Sequence, residues 1–424
     1  MSDAPYKRAI IILADGARPD VLNEEMAKGN LPNMADYFAA KGTNKSMLTC
    51  FPSTTGPAYL PYVTGCFPGT CNVPGIRWFD KPHYAKSGWG FKSFRSYCGP
   101  ETMFLDSDMN PKIKTAWEVF PQSKSIFNGV TKGIKKGHDL TSGGRIWHYY
   151  YAHMTDRWSY IDRVASHTMT KMIASKDFDF AFVVFPSVDE YSHRSSVFHD
   201  RVRKAYQEID SYIGKMREDL RRVGLEEETL VFVVADHGLS DTHSHFDVGP
   251  WLEQEKGLRT FYYTNIAKFK FDAASMVSGN GMVHLYFKGQ EGWKGRKCFE
   301  EISHESLLLD ELRIHPAVAL VATQGANSAI HVQTEKGHGS FRYDLARDQI
   351  LYEFDRDDPL GIFKGGEAVL SNGFSMRESL ASFYDSYFPD VFCQLFLAIV
   401  SIASYWRYCA VGLRVPVATF VLEF

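Results

Sequence analysis

The chain contains 424 residues, of which 45% are hydrophobic and 23% are charged, so its composition is that of a folded globular protein and excludes wholesale disorder. Its 47 basic and 50 acidic residues give a net charge of −3, which provides no electrostatic basis for binding a nucleic-acid polymer. A chain of this length can form one large α/β domain with insertions, or two domains.

The first predicted element is a strand at residues 8–14, in which residues 9–14 form a continuous apolar run of the kind that is buried on both faces of a sheet. This run is too short for the apolar region of a signal peptide with a cleavage site, so we expect a cytoplasmic protein. The seven cysteines lack the paired CxxC spacing of a structural zinc site, and we expect them to be reduced thiols.

Strand-like and helix-like segments alternate further along the chain, which favours an α/β fold with a mainly parallel central sheet flanked by helices. Residues 180–185 and 230–235 are predicted to be two more buried strands. Between them, apolar side chains recur at spacings of three and four from Val202 to Val223, and Gly224 follows as a C-terminal stop. This right-handed βαβ crossover would place the ends of its two strands side by side.

Two segments depart from the alternating pattern and are predicted to be inserted caps. Residues 77–150 are rich in Gly, Lys, Tyr and Trp with little periodicity, and residues 251–335 contain shorter strands. We therefore predict one catalytic domain at residues 1–390 that carries both insertions.

Residues 391–424 form an atypical hydrophobic tail with only three charged side chains. A buried terminal helix and strand would explain it. Membrane contact is a second explanation, although the apolar stretch at residues 391–406 is short for a membrane span. An altered reading frame is a third.

Seven residues with metal-binding side chains, in five separate places, mostly follow apolar runs. In open α/β sheets, sites form outside the carboxyl ends of the strands, so these side chains could converge in space. The seven residues are Asp15, Thr55, Asp189, His193, Asp236, His237 and His338. Carboxylates and imidazoles together with a hydroxyl suggest a two-metal hydrolytic centre.

The motifs around these residues differ in how strongly they indicate a metal. Asp236 and His237 are adjacent in ADHG just past a strand, and a carboxylate with an imidazole suits zinc, manganese or iron. Asp189 and His193 are four residues apart and would share one face of a helical turn. A helix cap is the structural alternative for Asp236, and a surface ion pair is the alternative for the second pair.

The remaining three residues occupy turns. Asp15 precedes Gly16 on a tight turn and would otherwise cap a helix. Thr55 lies in STTGP, where a hydroxyl would meet a helix N-terminus that favours an alkoxide and a phosphate. His338, in GHG, would present an imidazole on a flexible loop, with an exposed turn as the alternative.

Taken together, the motifs resemble those of the alkaline phosphatase superfamily, and most closely its type I phosphodiesterase/nucleotide pyrophosphatase branch. The resemblance is carried by ILADGARPD, FPSTTGPAYLPYVTGCFPG, PSVDEYSH, ADHG and GHG, and it spans roughly residues 8–340. It implies two divalent ions about 4 Å apart, zinc in the first instance, with manganese or iron as alternatives. The ligands it implies are Asp189, His193 and His338 for one ion, and Asp15, Thr55, Asp236 and His237 for the other.

The resemblance also implies a chemistry in which the Thr55 oxygen attacks phosphorus and water then hydrolyses the phospho-threonine. The expected substrate is a small phosphodiester or pyrophosphate, such as a nucleotide-like molecule. The alternatives are a phosphonoacetate-type C–P hydrolase, a phosphomonoesterase, or a metal-binding module with impaired catalysis.

One departure bears on this chemistry. The branch usually carries an asparagine that donates to a phosphate oxygen three residues after the nucleophile, whereas this chain has Ala58. The phosphate oxygen would then be held by the metal ions, by the backbone N–H groups near Gly56 or by another side chain. Arg194 is a candidate phosphate or substrate contact, with an ordinary exposed arginine as the alternative. His243 and His245 would line the pocket or bind a further ion, with a supporting structural role as the alternative.

Overall fold

The computed structural model of the protein describes residues 6–90, 92–242, 245–263, 270–295, 297–363, 373–383, 386–399, 409–413 and 419–423. Its strands are β1 (Arg8–Ala14), β2 (Thr43–Met47), β3 (Arg77–Phe79), β4 (Phe94–Ser96), β5 (Ser123–Ile126), β6 (Phe180–Phe185), β7 (Thr229–Val234), β8 (Thr260–Phe261), β9 (Ala273–Val277), β10 (Met282–Phe287), β11 (Val318–Gln324), β12 (Ile330–Thr334), β13 (Gly337–Asp344), β14 (Gln349–Phe354), β15 (Cys409–Leu413) and β16 (Thr419–Glu423).

The helices alternate with the strands over most of the chain. They are α1 (Pro19–Ala27), α2 (Pro32–Met34), α3 (Leu60–Thr64), α4 (Lys81–Ser87), α5 (Leu105–Asp108), α6 (Ala116–Val119), α7 (Arg145–Thr155), α8 (Ser159–Ser175), α9 (Ser187–Ser192), α10 (Asp200–Val223), α11 (Val248–Gln254), α12 (Phe299–Glu305), α13 (Leu308–Ile314), α14 (Met376–Ser382) and α15 (Val391–Ile399).

A sheet in the order β2-β16-β7-β1-β6-β5 forms the centre of the molecule. The four strands β7, β1, β6 and β5 are parallel, and β16 joins this group antiparallel. The predicted α/β fold with a mainly parallel central sheet is therefore confirmed. β5 lies within residues 77–150, so part of that segment belongs to the central sheet.

The register of the parallel strands brings their carboxyl ends together. Ala14 of β1 pairs with Phe185 of β6, and Leu13 pairs with Val234 of β7. All six residues of β6 are buried, which explains why its sequence is continuously apolar. The 24-residue helix α10 connects β6 to β7 and ends at Gly224, which adopts the left-handed conformation with φ of 76°.

A second sheet follows in the order β14-β13-β12-β11-β15-β10-β9-β8 and is mostly antiparallel. One of its apolar clusters contains Leu252, Ile302 and Leu312 from helices α11, α12 and α13. Another contains Phe392 and Leu395 from α15. This sheet continues to Phe354, beyond the predicted insertion at residues 251–335.

The tail contributes to both sheets. β15 pairs with β10 and β11, whereas β16 pairs with β2 and β7. Within the described parts of the chain, no helix has both the length and the apolar character needed to cross a bilayer.

Candidate active site

Three predicted ligands meet at the carboxyl ends of the parallel strands. Asp15 follows β1 directly, and its backbone N–H donates to Phe185 O at 3.0 Å. Asp189 lies in α9 just after β6, and His237 lies just after β7. Asp15, Asp189 and His237 are buried, and each offers one ligand atom within 4.8 Å of the others. Residues that are 174 positions or more apart in sequence from Asp15 are thus held by the register of three neighbouring strands.

Asp236 joins this group from the same strand end as His237. The backbone N–H of Gly16 donates to Asp236 Oδ1 at 3.3 Å. His237 Nε2 lies 3.2 Å from Asp236 Oδ2 and 3.7 Å from Asp15 Oδ1. Asp15 and Asp236 therefore both direct a carboxylate oxygen at Nε2 of His237.

Gly16 is required by the close approach of the two strand ends. It has φ of 70°, which favours glycine, and a Cβ at this position would lie 2.8 Å from the Cα of Asp189. The turn after β1 can therefore bring Asp15 next to Asp189 only without a side chain at residue 16.

Thr55 lies beside the same carboxylate and imidazole. Its hydroxyl donates to Asp15 Oδ1 at 3.4 Å and lies 3.0 Å from His237 Nε2. The helix that follows is only a single 3₁₀ turn, Pro57–Tyr59, continued by the five residues of α3. The surroundings of the Thr55 oxygen are consequently set by Asp15 and His237 more than by a helix dipole.

His193 lies beside Asp189, the third carboxylate of the cluster. Its Nε2 lies 3.4 Å from Asp189 Oδ1, and its side chain is 41% exposed. The hydrogen bond to Asp189 raises the pKa of His193 to about 9. Burial acts to raise the pKa of Asp189, but its hydrogen bond to His193 and the charge of His237 outweigh burial and leave that pKa lowered.

The other two carboxylates are shifted in the opposite direction. Burial and the charges of Asp236 and Asp189 hold the pKa of Asp15 well above its ordinary value. Burial and the charge of Asp189 raise the pKa of Asp236 to about 7. The raised pKa values of Asp15 and Asp236 mean that their ionised forms are unfavourable together in this buried cluster without a compensating cation. A set of carboxylate oxygens and imidazole nitrogens fits divalent cations such as zinc or manganese.

His338 lies elsewhere. It belongs to strand β13, where it pairs with Gln333, so its predicted place on a flexible loop is wrong. Its Nε2 lies 3.0 Å from His331 Nδ1, and its Nδ1 lies 3.2 Å from Asp355 Oδ2. The ring of Phe299 stacks on both imidazoles, with centroids 3.9 Å and 5.0 Å away. These contacts connect His338 to the second sheet rather than to the other six residues, and its role as a ligand stays a prediction.

The predicted substrate contacts are only partly gathered around the site. Arg194 Nη1 lies 3.1 Å from Asp156 Oδ1, so this guanidinium already has a carboxylate partner. Gly56 is adjacent to Thr55 and has φ of 93°. His245 is exposed, and His243 lies outside the described residues.

Two further residues touch the site and were not predicted from the sequence. The hydroxyl of Tyr59 donates to Asp15 Oδ2 at 2.6 Å from a fully buried position beside Ala58. Asn280 Nδ2 lies 3.5 Å from His193 Nδ1. Tyr59 lies within the motif around Thr55 and could have been proposed on that ground, whereas nothing in the sequence near Asn280 indicates its proximity to residue 193.

Residues 9–336 match the sequence model of the type I phosphodiesterase/nucleotide pyrophosphatase family. The chain is 22% identical over 247 residues to the ectonucleotide pyrophosphatase/phosphodiesterase 2 of Saccharomyces cerevisiae, covering 56% of this chain and 48% of that protein. It is 20% identical over 250 residues to an uncharacterized pyrophosphatase/phosphodiesterase of Schizosaccharomyces pombe, covering 58% and 47%. The chain thus spans about half the length of these curated relatives.

Solved structures with the same fold include a phosphonoacetate hydrolase from Sinorhizobium meliloti 1021, determined with phosphonoformate and with phosphonoacetate. The TM-score is 0.53 at 14% identity, and the match covers 75% of each chain. At this identity the likeness concerns the fold alone. The family match extends over most of the chain and includes the strand ends that carry the site. The chain therefore belongs to the type I phosphodiesterase/nucleotide pyrophosphatase family, a family of metal-dependent hydrolases with the alkaline-phosphatase-like fold.

Proposed function

We propose that this protein hydrolyses small phosphodiesters or pyrophosphates of the nucleotide-like class, with two divalent ions and with Thr55 as the nucleophile. The observation that carries the proposal is the position of the Thr55 hydroxyl, 3.4 Å from Asp15 Oδ1 and 3.0 Å from His237 Nε2. An alcohol oxygen between a carboxylate and an imidazole, in a buried cluster of cation-binding groups, is well placed to become a nucleophile.

The residues around Thr55 divide into two ligand sets. Asp236 and His237, with Asp15 and the Thr55 oxygen, would hold one ion, and Asp189 with His193 would hold the other. Bound ions would supply positive charge that favours the ionised hydroxyl and neutralises the phosphate oxygens. Zinc is the first expectation for this donor set, and manganese and iron are the alternatives.

The chemistry proceeds in two displacements. The Thr55 oxygen forms a bond to phosphorus as the bond to the leaving oxygen breaks, and the leaving group takes up a proton. Water then attacks the phospho-threonine, the bond between phosphorus and the Thr55 oxygen breaks, and the hydroxyl is restored. Asp15 is positioned for these steps by the hydrogen bond from Tyr59, which fixes one carboxylate oxygen while the other faces Thr55.

The nucleophile can be tested with a pair of substitutions that differ in a single group. Thr55→Val keeps the shape of the side chain but removes the hydroxyl, whereas Thr55→Ser keeps the hydroxyl. With bis-p-nitrophenyl phosphate as the substrate and zinc or manganese present, we expect Thr55→Val to lower kcat by at least about 10³-fold and Thr55→Ser to remain active. Acid quenching of wild type with a labelled diester should trap label on Thr55. Full turnover by Thr55→Val would refute the nucleophile assignment.

The substrate class can be tested in the same assay series. The shared fold with a phosphonoacetate hydrolase makes phosphonoacetate the second candidate substrate, and p-nitrophenyl phosphate reports monoesterase activity. Preference for the diester supports the proposal, and preference for phosphonoacetate would replace it. Absence of turnover on all three substrates, with two metal ions bound per chain, would identify a binding module instead.

A further inference from the structure

Two carboxylates of the candidate site each have one oxygen held by a hydrogen bond within the protein. The buried hydroxyl of Tyr59 donates to Asp15 Oδ2 at 2.6 Å. The backbone N–H of Gly16 donates to Asp236 Oδ1 at 3.3 Å. The second oxygen of each carboxylate is directed at Nε2 of His237, which lies 3.7 Å from Asp15 Oδ1 and 3.2 Å from Asp236 Oδ2. With these hydrogen bonds in place, each aspartate offers a single oxygen to a cation.

The spacing of the donor atoms suits four ligands that each bind through one atom. Thr55 Oγ lies 3.0 Å from His237 Nε2 and 3.4 Å from Asp15 Oδ1. Donor atoms at about 2.0 Å from a tetrahedral zinc ion lie about 3.3 Å from one another. The separations of 3.0, 3.2, 3.4 and 3.7 Å among the four donors lie around that value. This arrangement depends on Asp15 turning only one oxygen towards the other donors.

We propose that Tyr59 is a positioning residue that restricts Asp15 to single-oxygen coordination and thereby strengthens the preference of this site for zinc over manganese. Zinc in proteins is usually four-coordinate, whereas manganese favours six ligands that are mainly oxygen. A carboxylate supplies an additional ligand when both of its oxygens bind the ion. Burial and the charge of Asp15 hold the pKa of Tyr59 well above its ordinary value, so its hydroxyl stays protonated and donates. This role rests on the proposed function, since it concerns one of the two ions named there.

Tyr62 provides a matched control three residues further along the chain. Its hydroxyl donates to the backbone oxygen of Ala235 at 2.7 Å, immediately before Asp236. The ring centroids of Tyr59 and Tyr62 lie 6.2 Å and 6.4 Å from that of Phe182. Tyr59→Phe and Tyr62→Phe therefore each remove one hydroxyl from a ring beside the same neighbour, but only Tyr59→Phe frees an oxygen of a metal-binding carboxylate.

The decisive measurement is the affinity of the protein for zinc and for manganese, each determined by competition with a chromophoric chelator. We expect Tyr59→Phe to weaken zinc binding about 10- to 100-fold in one of the two binding steps and to leave manganese binding nearly unchanged. The ratio of zinc to manganese affinity should therefore fall by about the same factor, whereas Tyr62→Phe should keep the wild-type ratio. A fall of less than about threefold in Tyr59→Phe, or an equal fall in Tyr62→Phe, would overturn the inference.

Cobalt(II) reports the coordination number, which a general loss of stability would not change in the same way. A four-coordinate cobalt ion absorbs visible light more strongly than a six-coordinate one, because its geometry lacks a centre of symmetry. At full loading, we expect a weaker visible band for Tyr59→Phe than for wild type and an unchanged band for Tyr62→Phe. An unchanged band in Tyr59→Phe would refute single-oxygen coordination by Asp15 as the role of Tyr59.

None of these measurements requires turnover, so the two proposals can fail independently. A wild type that hydrolyses no diester, but whose affinity ratio falls in Tyr59→Phe, would refute the proposed function and leave the role of Tyr59 standing. An active wild type whose affinity ratio and cobalt spectrum are unchanged in Tyr59→Phe would overturn the role of Tyr59 alone.

Discussion

Replacing Asp15 with asparagine tests whether the buried carboxylates are held together for a cation. The substitution is nearly isosteric, and the amide oxygen can still accept the hydrogen bond that Tyr59 donates at 2.6 Å. What it removes is one negative charge from a cluster that also contains Asp189 and Asp236. We therefore expect Asp15→Asn to stabilise the metal-free protein and to reduce the stabilisation that a bound metal ion provides.

The size of the stabilisation expected without metal follows from the distance between the carboxylates. The ligand atoms of Asp15 and Asp189 lie within 4.8 Å, and two unit charges at that separation repel by about 3.5 kcal/mol at an effective dielectric constant of about 20. Protonation relieves part of this repulsion, because burial and the two neighbouring carboxylates raise the pKa of Asp15. A gain of about 1–3 kcal/mol in the free energy of unfolding is therefore expected for metal-free Asp15→Asn.

Thermal unfolding converts these energies into measurable shifts. For 424 residues the unfolding entropy is about 0.9 kcal/mol per kelvin, so metal-free Asp15→Asn should melt about 1–3 °C above metal-free wild type. Zinc at about 100 times its Kd should add about 2.7 kcal/mol to wild type, or about 3 °C, and clearly less to the variant. The difference between the Tm of Asp15→Asn and the Tm of wild type should therefore become smaller or change sign when zinc replaces the chelator.

A buried carboxylate outside the site provides the control. Asp210 is 2% exposed and accepts hydrogen bonds from the backbone N–H groups of Asn33 at 3.2 Å and Met34 at 2.7 Å. Asp210→Asn should lower the Tm equally in chelator and in zinc. The reasoning fails if Asp15→Asn melts below wild type in chelator and gains as much from zinc as wild type does.

Three further predictions concern residues around the site. Burial raises the pKa of Asp162 to about 7, so this carboxyl group should lower the free energy of unfolding as pH rises from about 4 through 7. Asp162→Asn should make the fall in stability over this pH range less steep in urea unfolding, and an unchanged slope would contradict the prediction. The ligand role of His338 requires that His338→Ala lose one of two bound metal ions while His331→Ala keeps both; unchanged metal content in both variants would eliminate that role. Gly16→Ala should abolish metal binding and lower the free energy of unfolding by about 2–4 kcal/mol. Gly29→Ala is the control, because Gly29 has φ of 78° but no atom within 4 Å of its Cβ position. It should lower the free energy of unfolding by only about 1–2 kcal/mol and leave metal binding unchanged.

The part of the site that the sequence predicts well depends on parallel strands. Strands β1 and β6 have the bounds predicted from their apolar runs, residues 8–14 and 180–185. All six residues of β6 are buried, and a strand that is buried on both faces is continuously apolar. Strand ends in such a sheet converge at one edge, so the proximity of Asp15, Asp189 and His237 follows from topology alone. No knowledge of side-chain packing is needed to reach this conclusion.

The part that the sequence does not predict depends on antiparallel strands and their packing. The register of β12 and β13 places His338 beside His331, and no local pattern distinguishes this hairpin from a loop of the metal site. Asn280 meets His193 across 87 positions of sequence. Gly279, the preceding residue, lets the β9–β10 turn pack against Thr54, and this tertiary contact appears in the sequence merely as a glycine in a turn.

The two sheets supply different kinds of side chain to the site, charged groups from one and a neutral group from the other. The strand ends of the parallel sheet supply carboxylates and imidazoles, which hold cations and respond strongly to the loss of any one charge. The β9–β10 turn of the antiparallel sheet supplies the neutral carboxamide of Asn280, which contacts Nδ1 of His193. The turn is nevertheless packed against the site, since a Cβ at Gly279 would lie 2.2 Å from Cγ2 of Thr54. A side chain at residue 279 should therefore displace Thr54 and the adjacent Thr55, although it would add no charge to the cluster.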